Sequence, residues 1–73
     1  MPMVQITMLE GRSVEQKHAL IREVSEAVAR TVAVPLDRVR VALYEVSADD
    51  WGIGGVPVSV SRPGNPLGTS AAP

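Results

Sequence analysis

The 73-residue chain has no cysteine and no phenylalanine, and only one histidine, one tryptophan and one tyrosine. Without cysteine there are no disulfides, no thiolate zinc site and no cysteine nucleophile. A single histidine cannot build a metal site by itself. An excess of one charge is also lacking: seven basic and eight acidic residues leave a net charge of −1. A nucleic-acid binder needs a basic stripe to neutralise phosphates, so that class is excluded. No apolar run approaches the roughly 18–20 residues of a membrane span. The first residues also lack the basic start and apolar core of a signal peptide. The expectation is a cytoplasmic protein with no membrane and no nucleic-acid partner.

What is present is an aliphatic chain, 45% apolar, long enough for one small domain. At this size a monomer buries too little surface, and disulfides, metals or oligomerisation usually help. With the first two excluded by composition, oligomerisation remains.

Met3 to Leu9 alternates, with Val4, Ile6 and Met8 on one face and Gln5 and Thr7 on the other, which predicts a strand. Glu10-Gly11-Arg12 is a turn. Ser13 followed by Gln16 fits a capping box, in which each side chain satisfies an orphan N–H at a helix start. From Val14 to about Val32 the spacing is helical. Leu20, Ile21, Val24, Ala27, Val28 and Thr31 form one stripe, and the charged residues lie mostly outside it. Val34-Pro35 should end the helix, because a residue before proline disfavours the helical region. Pro35 to Arg38 reads as a single turn and Val39 to Val46 as a second strand. Val39, Val41 and Leu43 fall on one side of it, with Arg40, Ala42 and Tyr44 on the other. Ser47 to Gly55 reads as a loop, and Val56 to Ser61 as a short strand that Pro57 confines to an edge or bulge. His18 reads as a solvated helix residue and Tyr44 as packing. Residues 1–61 then form the domain, and the Pro- and Gly-rich stretch 62–73 a flexible tail.

The fold class is therefore α/β (α+β): a single β-α-β unit followed by a short C-terminal β-hairpin or strand. Its two long strands should be parallel, joined by a right-handed crossover. Two strands alone leave open edges and are not stable by themselves. The sheet should be completed by oligomerisation.

Chemistry centres on Pro2. Methionine aminopeptidase removes an initiator methionine that precedes a small residue, and proline qualifies. Pro2 would then carry a free secondary amine, whereas every other proline nitrogen is a tertiary amide that cannot carry a proton. An α-amino group has a reference pKa of about 7.7–8.0, and a prolyl nitrogen starts higher. Apolar burial or nearby positive charge would bring it down to the working pH of a base.

Several blocks occur in a distinctive order: Pro2; Leu9-Glu10-Gly11-Arg12-Ser13 with Glu15-Gln16-Lys17; Leu20 to Ala27; Val39-Arg40-Val41; and Gly52-Ile53-Gly54-Gly55. Together they resemble the 4-oxalocrotonate tautomerase family of the tautomerase superfamily, from Pro2 to about Arg62. The resemblance implies a cofactor-free, metal-free isomerase that interconverts keto and enol forms of a 2-hydroxydienoate such as 2-hydroxymuconate. Pro2 would be its base. It implies that Arg12 binds a substrate carboxylate, and that Arg40, supplied by another subunit, binds the 2-oxo or hydroxyl oxygen and adjacent carboxylate. Trp51 stands where the family usually has phenylalanine, in the apolar wall around the proline. Leu9 and Ile53 occupy substrate-binding positions where dehalogenating relatives carry an arginine and a water-activating glutamate; both are apolar here, which argues against hydration or dehalogenation. The implied partners are a small carboxylate substrate and five further copies, a hexamer built as a trimer of dimers. Two alternatives stay open: a biosynthetic tautomerase acting on another enol or α-keto acid, and a non-catalytic oligomeric binding module.

One inference needs only geometry. Pro2 and Arg12 lie at opposite ends of one strand, roughly 20–25 Å apart at about 3.3 Å per residue. They cannot meet within a chain, but an antiparallel neighbour would bring its Arg12 beside this Pro2.

Overall fold

The computed structural model describes residues 1–62. Strand β1 (Met3–Leu9) leads to helix α1 (Val14–Val32), a 3₁₀ turn (Leu36–Arg38) and strand β2 (Arg40–Val46). A second 3₁₀ turn (Ala48–Asp50), two short strands β3 (Gly52–Ile53) and β4 (Val56–Pro57), and one helical turn α2 (Val58–Ser61) follow. This is the expected β-α-β unit with a C-terminal hairpin. The described chain divides into two compact units, Met1–Ile6 with Ser13–Tyr44, and Thr7–Arg12 with the described residues from Glu45 onward. Among the described residues no helix is long and apolar enough to cross a membrane.

In the first unit the capping box forms as expected. The Gln16 amide donates to Ser13 Oγ at 3.1 Å, and the Ser13 amide donates to Gln16 Oε1 at 3.0 Å. Two orphan N–H groups are thereby satisfied. The predicted stripe from Leu20 to Val28 is half-buried, but Thr31 is exposed and drops out of it. α1 ends at Val32, as its helical spacing suggested, just ahead of the Val34-Pro35 signal. Ala33 takes the left-handed conformation, at φ 59° and ψ 51°. The amides of Ala33 and Val34 both donate back to the Ala29 carbonyl, the latter at 3.1 Å. Orphan carbonyls are closed by such left-handed caps, usually on glycine. The following 3₁₀ turn bonds Arg38 N–H to Pro35 and Val39 N–H to Leu36. Val39 therefore caps that turn, and β2 starts at Arg40 instead of Val39. Val39, 9% exposed, is the buried residue of this unit.

β1 and β2 pair in a two-stranded sheet. The Arg40 amide donates to the Pro2 carbonyl at 3.0 Å, and the Glu10 amide donates to the Val46 carbonyl at 2.9 Å. Start bonds to start and end to end, so the strands are parallel, and both bonds fit one register that sets Pro2 beside Val39. β1 alternates exposed and half-buried side chains from Met3 to Met8, as its sequence predicts.

The second unit departs from expectation. The predicted Val56–Ser61 strand is only Val56–Pro57, after which Val58–Ser61 coils into a helical turn. Pro57 causes the change: it has no N–H for a ladder and its ring holds φ near −64°. The predicted Ser47–Gly55 loop contains a 3₁₀ turn and β3. β3 and β4 pair antiparallel, Gly52 with Pro57 and Ile53 with Val56. Gly54 and Gly55 join them at φ 61° and 86°, a two-residue turn whose positive φ values glycine alone adopts cheaply. The Val58 amide donates to the Trp51 carbonyl at 2.9 Å and the Arg62 amide to the Val58 carbonyl at 2.8 Å. Val58, 3% exposed, is the buried residue of this unit. Arg62 thus closes α2; the rest of the expected tail, 63–73, lies outside the described residues.

Candidate active site

Pro2 stands immediately before β1 and is half-buried. Met1 ahead of it projects into solvent, 78% exposed. While Met1 is attached, the Pro2 nitrogen is an amide without a proton. Once Met1 is cleaved, the same nitrogen is a basic secondary amine on a ring held by the strand. Its orientation is fixed by the Arg40 amide, which donates to the Pro2 carbonyl.

Arg40 is therefore tied to Pro2 through the backbone. Its side chain goes elsewhere. In the parallel register Val39 flanks Pro2, and consecutive residues of a strand point to opposite faces. Val39 is buried and Arg40 exposed. Arg40 Nη1 donates to the Asp37 carbonyl at 2.8 Å. The guanidinium has five N–H donors, so one anchors it to the 3₁₀ turn while others remain for an anion. The sequence did not reveal this contact with the Asp37 carbonyl. The Pro35–Arg38 turn was legible, but a backbone carbonyl that steers a side chain leaves no residue-type signal.

The remaining predicted site residues belong to the second unit. Leu9 ends β1 and is half-buried, and Gly11 at φ 123° turns the chain into half-buried Arg12. Trp51 follows the second 3₁₀ turn and is half-buried, its carbonyl held by Val58 N–H. Ile53, at 51% exposure, faces solvent across the hairpin from Val56. The Val58 contact was missed too: its amide pins the backbone that carries Trp51.

A β-α-β unit with a closing hairpin is the fold that this chain shares with 4-oxalocrotonate tautomerase homologues. Tautomerase enzymes match the chain over residues 2–61, and the chain belongs to that family; it is an isomerase. It is 54% identical over 59 residues to a 2-hydroxymuconate tautomerase of Pseudomonas putida, an alignment covering 81% of this chain and 94% of that protein. Among solved structures it resembles TomN, a 4-oxalocrotonate tautomerase homologue in the tomaymycin biosynthetic pathway. The TM-score is 0.82 at 34% identity, covering 85% of this chain and 95% of that one. It also resembles a heterohexamer 4-oxalocrotonate tautomerase from Chloroflexus aurantiacus J-10-fl, with TM-score 0.78 at 46% identity, covering 81% and 95% of the two chains.

Proposed function

We propose that this chain is a cofactor-free enol–keto tautomerase that converts 2-hydroxymuconate, or a closely related 2-hydroxydienoate, to its conjugated 2-oxo form. The observation that carries the reading is the identity with a 2-hydroxymuconate tautomerase at more than half of the aligned positions and over nearly all of that protein's length. Pro2 is the general base. The exposure of Met1 supports this, because the bond that must be cut to free the amine is accessible. The amine takes the proton of the 2-hydroxyl group and returns a proton to the terminal carbon of the conjugated system. Arg40 stabilises the negative charge that develops on the oxygen, and its anchorage to Asp37 fixes the fork before substrate arrives. Arg12 grips a carboxylate with paired N–H donors. Leu9, Trp51 and Ile53 supply apolar wall that excludes water.

The site is shared between copies. Among the described residues only Val39 and Val58 are buried in an otherwise aliphatic chain, so large apolar faces are left for other chains to cover. β1 runs without a break between Pro2 and the Arg12 turn, which supports Arg12 acting on a neighbour's Pro2. The assembly is a homohexamer, and a cysteine-free chain suits the reducing cytoplasm.

The test is ultraviolet monitoring of 2-hydroxymuconate ketonisation by protein whose intact mass shows the loss of one methionine. Turnover is expected. Processed protein that leaves the substrate at its uncatalysed rate would sink the reading. Mixing Pro2→Ala and Arg12→Ala proteins under subunit exchange should restore part of the activity, and no recovery would rule out a site shared in this way.

A further inference from the structure

The outer edge of β1 is open. The β1–β2 sheet has two strands, so only one side of β1 is paired. The Pro2 carbonyl and the Glu10 amide both bond to β2, and every second residue of a strand directs its backbone groups to the same neighbour. The even-numbered residues between them therefore face β2. The N–H and C=O groups of Met3, Gln5, Thr7 and Leu9 face outward, where no strand of the described residues pairs with them. Both end bonds fit one register, so no bulge interrupts the strand. Met3–Leu9 also holds no proline and no charge, the usual guards of an exposed edge. Nor does Gln5 screen it, since its side-chain amide reaches toward β2 and donates to the Tyr44 hydroxyl at 3.3 Å. An unguarded edge of this kind is a template for another strand.

We infer that β1 pairs antiparallel with β1 of a second copy about a twofold axis at Ile6, which deepens the shared-site reading above. The register follows from the strand itself. Antiparallel neighbours oppose residues whose N–H and C=O groups point at each other, so odd-numbered residues must face odd-numbered ones. Centring on Ile6 sets Met3 against the partner's Leu9 and Gln5 against the partner's Thr7. Every outward group from Met3 to Leu9 then gains a mate. Side chains also match by kind. Met3 meets leucine and Gln5 meets threonine on one face, while Val4 meets methionine and Ile6 meets isoleucine on the other. Centring on Gln5 or Thr7 instead leaves outward groups unpaired at a strand end, and sets Met3 against threonine or Gln5 against leucine. A second copy is the occupant this sequence fits, because a twofold contact must complement itself and this edge does. The pairing also puts the partner's Glu10 opposite Pro2, with the turn into the partner's Arg12 directly after it.

The chain has no cysteine, so single-cysteine variants report the register directly. Gln5→Cys, Ile6→Cys and Thr7→Cys proteins are each held in a glutathione redox buffer and run on non-reducing denaturing gels. Circular dichroism checks the fold. Opposed residues at a position like Ile6 have Cα atoms about 4.5 Å apart, within disulfide reach. At Gln5 and Thr7 the like residues are offset along the strand and lie beyond the limit of about 7 Å. Expected is a covalent dimer as the main species for Ile6→Cys, and single chains for the other two. Ile6 is half-buried, so a Val4→Cys/Met8→Cys protein, in which each cysteine faces the other position of the partner, supplies a second reading and should also cross-link. A dominant dimer from Gln5→Cys or Thr7→Cys would overturn the register. No cross-link in any folded variant would overturn the pairing itself. The gel is read without substrate, so this failure is distinct from failure of the tautomerase reading, which turnover by the unsubstituted protein decides.

Discussion

Each compact unit is organised around one buried valine, and the two reach that burial by different routes. The first unit has the long elements, a helix of 19 residues and most of the parallel sheet, yet no residue of α1 is buried. Its one buried side chain, Val39, sits in the joint between a 3₁₀ turn and β2. The second unit has strands of two residues and a four-residue helical turn, and still buries Val58 more deeply. Its backbone folds back on itself, through Trp51 to Val58 and Val58 to Arg62. Burial therefore follows closure of the backbone, not length of element. Long amphipathic elements provide half of a core and wait for another surface, whereas the hairpin closes locally.

Function divides the same way, and the largest predicted effect lies in the first unit. Pro2→Ala leaves a primary amine on a less rigid residue and should lower kcat for ketonisation by about 10²–10⁴-fold, the range of a lost general base. Pro2 makes only a backbone bond through its carbonyl, which alanine keeps. Circular dichroism and melting temperature should hardly move. An equally active variant would remove Pro2 from the mechanism.

The contrast between the valines gives the next effect. Val58→Ala should cost about 2 kcal/mol, from two lost methylene equivalents plus a residual cavity. Val39→Ala should cost somewhat less. Location is the sharper readout. In native-state hydrogen exchange, Val58→Ala should weaken protection of the Val58 and Arg62 amides and spare the middle of α1. A uniform loss across both units would break the comparison, because the hairpin would then not be a separate closure.

How far each region could be read in advance follows from the same difference. β1, α1 and the Ser13–Gln16 capping box were legible because periodicity and caps are local properties of residue types. The Val56-Pro57-Val58-Ser59-Val60-Ser61 stretch misled because valines two apart imitate a strand. What decides its path is the ring of Pro57 and the bond from Val58 back to Trp51, a contact across seven positions of irregular chain. Ala33 was illegible for another reason, since alanine carries no preference for left-handed backbone. In the proposed site, Pro2 could be singled out because the chemistry of an N-terminal ring amine depends on position alone. The direction of the Arg40 side chain could not be read, because a main-chain carbonyl sets it.

A smaller effect tests the best-read feature. Ser13→Ala removes the acceptor for the Gln16 amide and should cost about 1 kcal/mol, measured by denaturant unfolding at fixed protein concentration so that assembly does not confound it. Gln16→Ala, which removes the reciprocal acceptor, should cost less. A neutral Ser13→Ala would mean that water replaces the cap freely.

The smallest effect concerns the feature the sequence hid, and its sign is the informative part. At φ 59° the Cβ of Ala33 crowds the backbone, a conformation that costs roughly 1–2 kcal/mol for an L-residue. Glycine removes that crowding but loses about 0.5–1 kcal/mol of extra chain entropy on folding. Ala33→Gly should therefore stabilise by about 0.5 kcal/mol, or roughly 2–4 °C in Tm for a domain of this size. Ala27→Gly, the same chemical change inside α1, should destabilise by about 0.5–1 kcal/mol. Opposite signs in the two variants would show that the cap, not general helix propensity, ends α1. If both variants lose stability alike, the left-handed cap is not what terminates the helix in solution, and the stop belongs to Pro35.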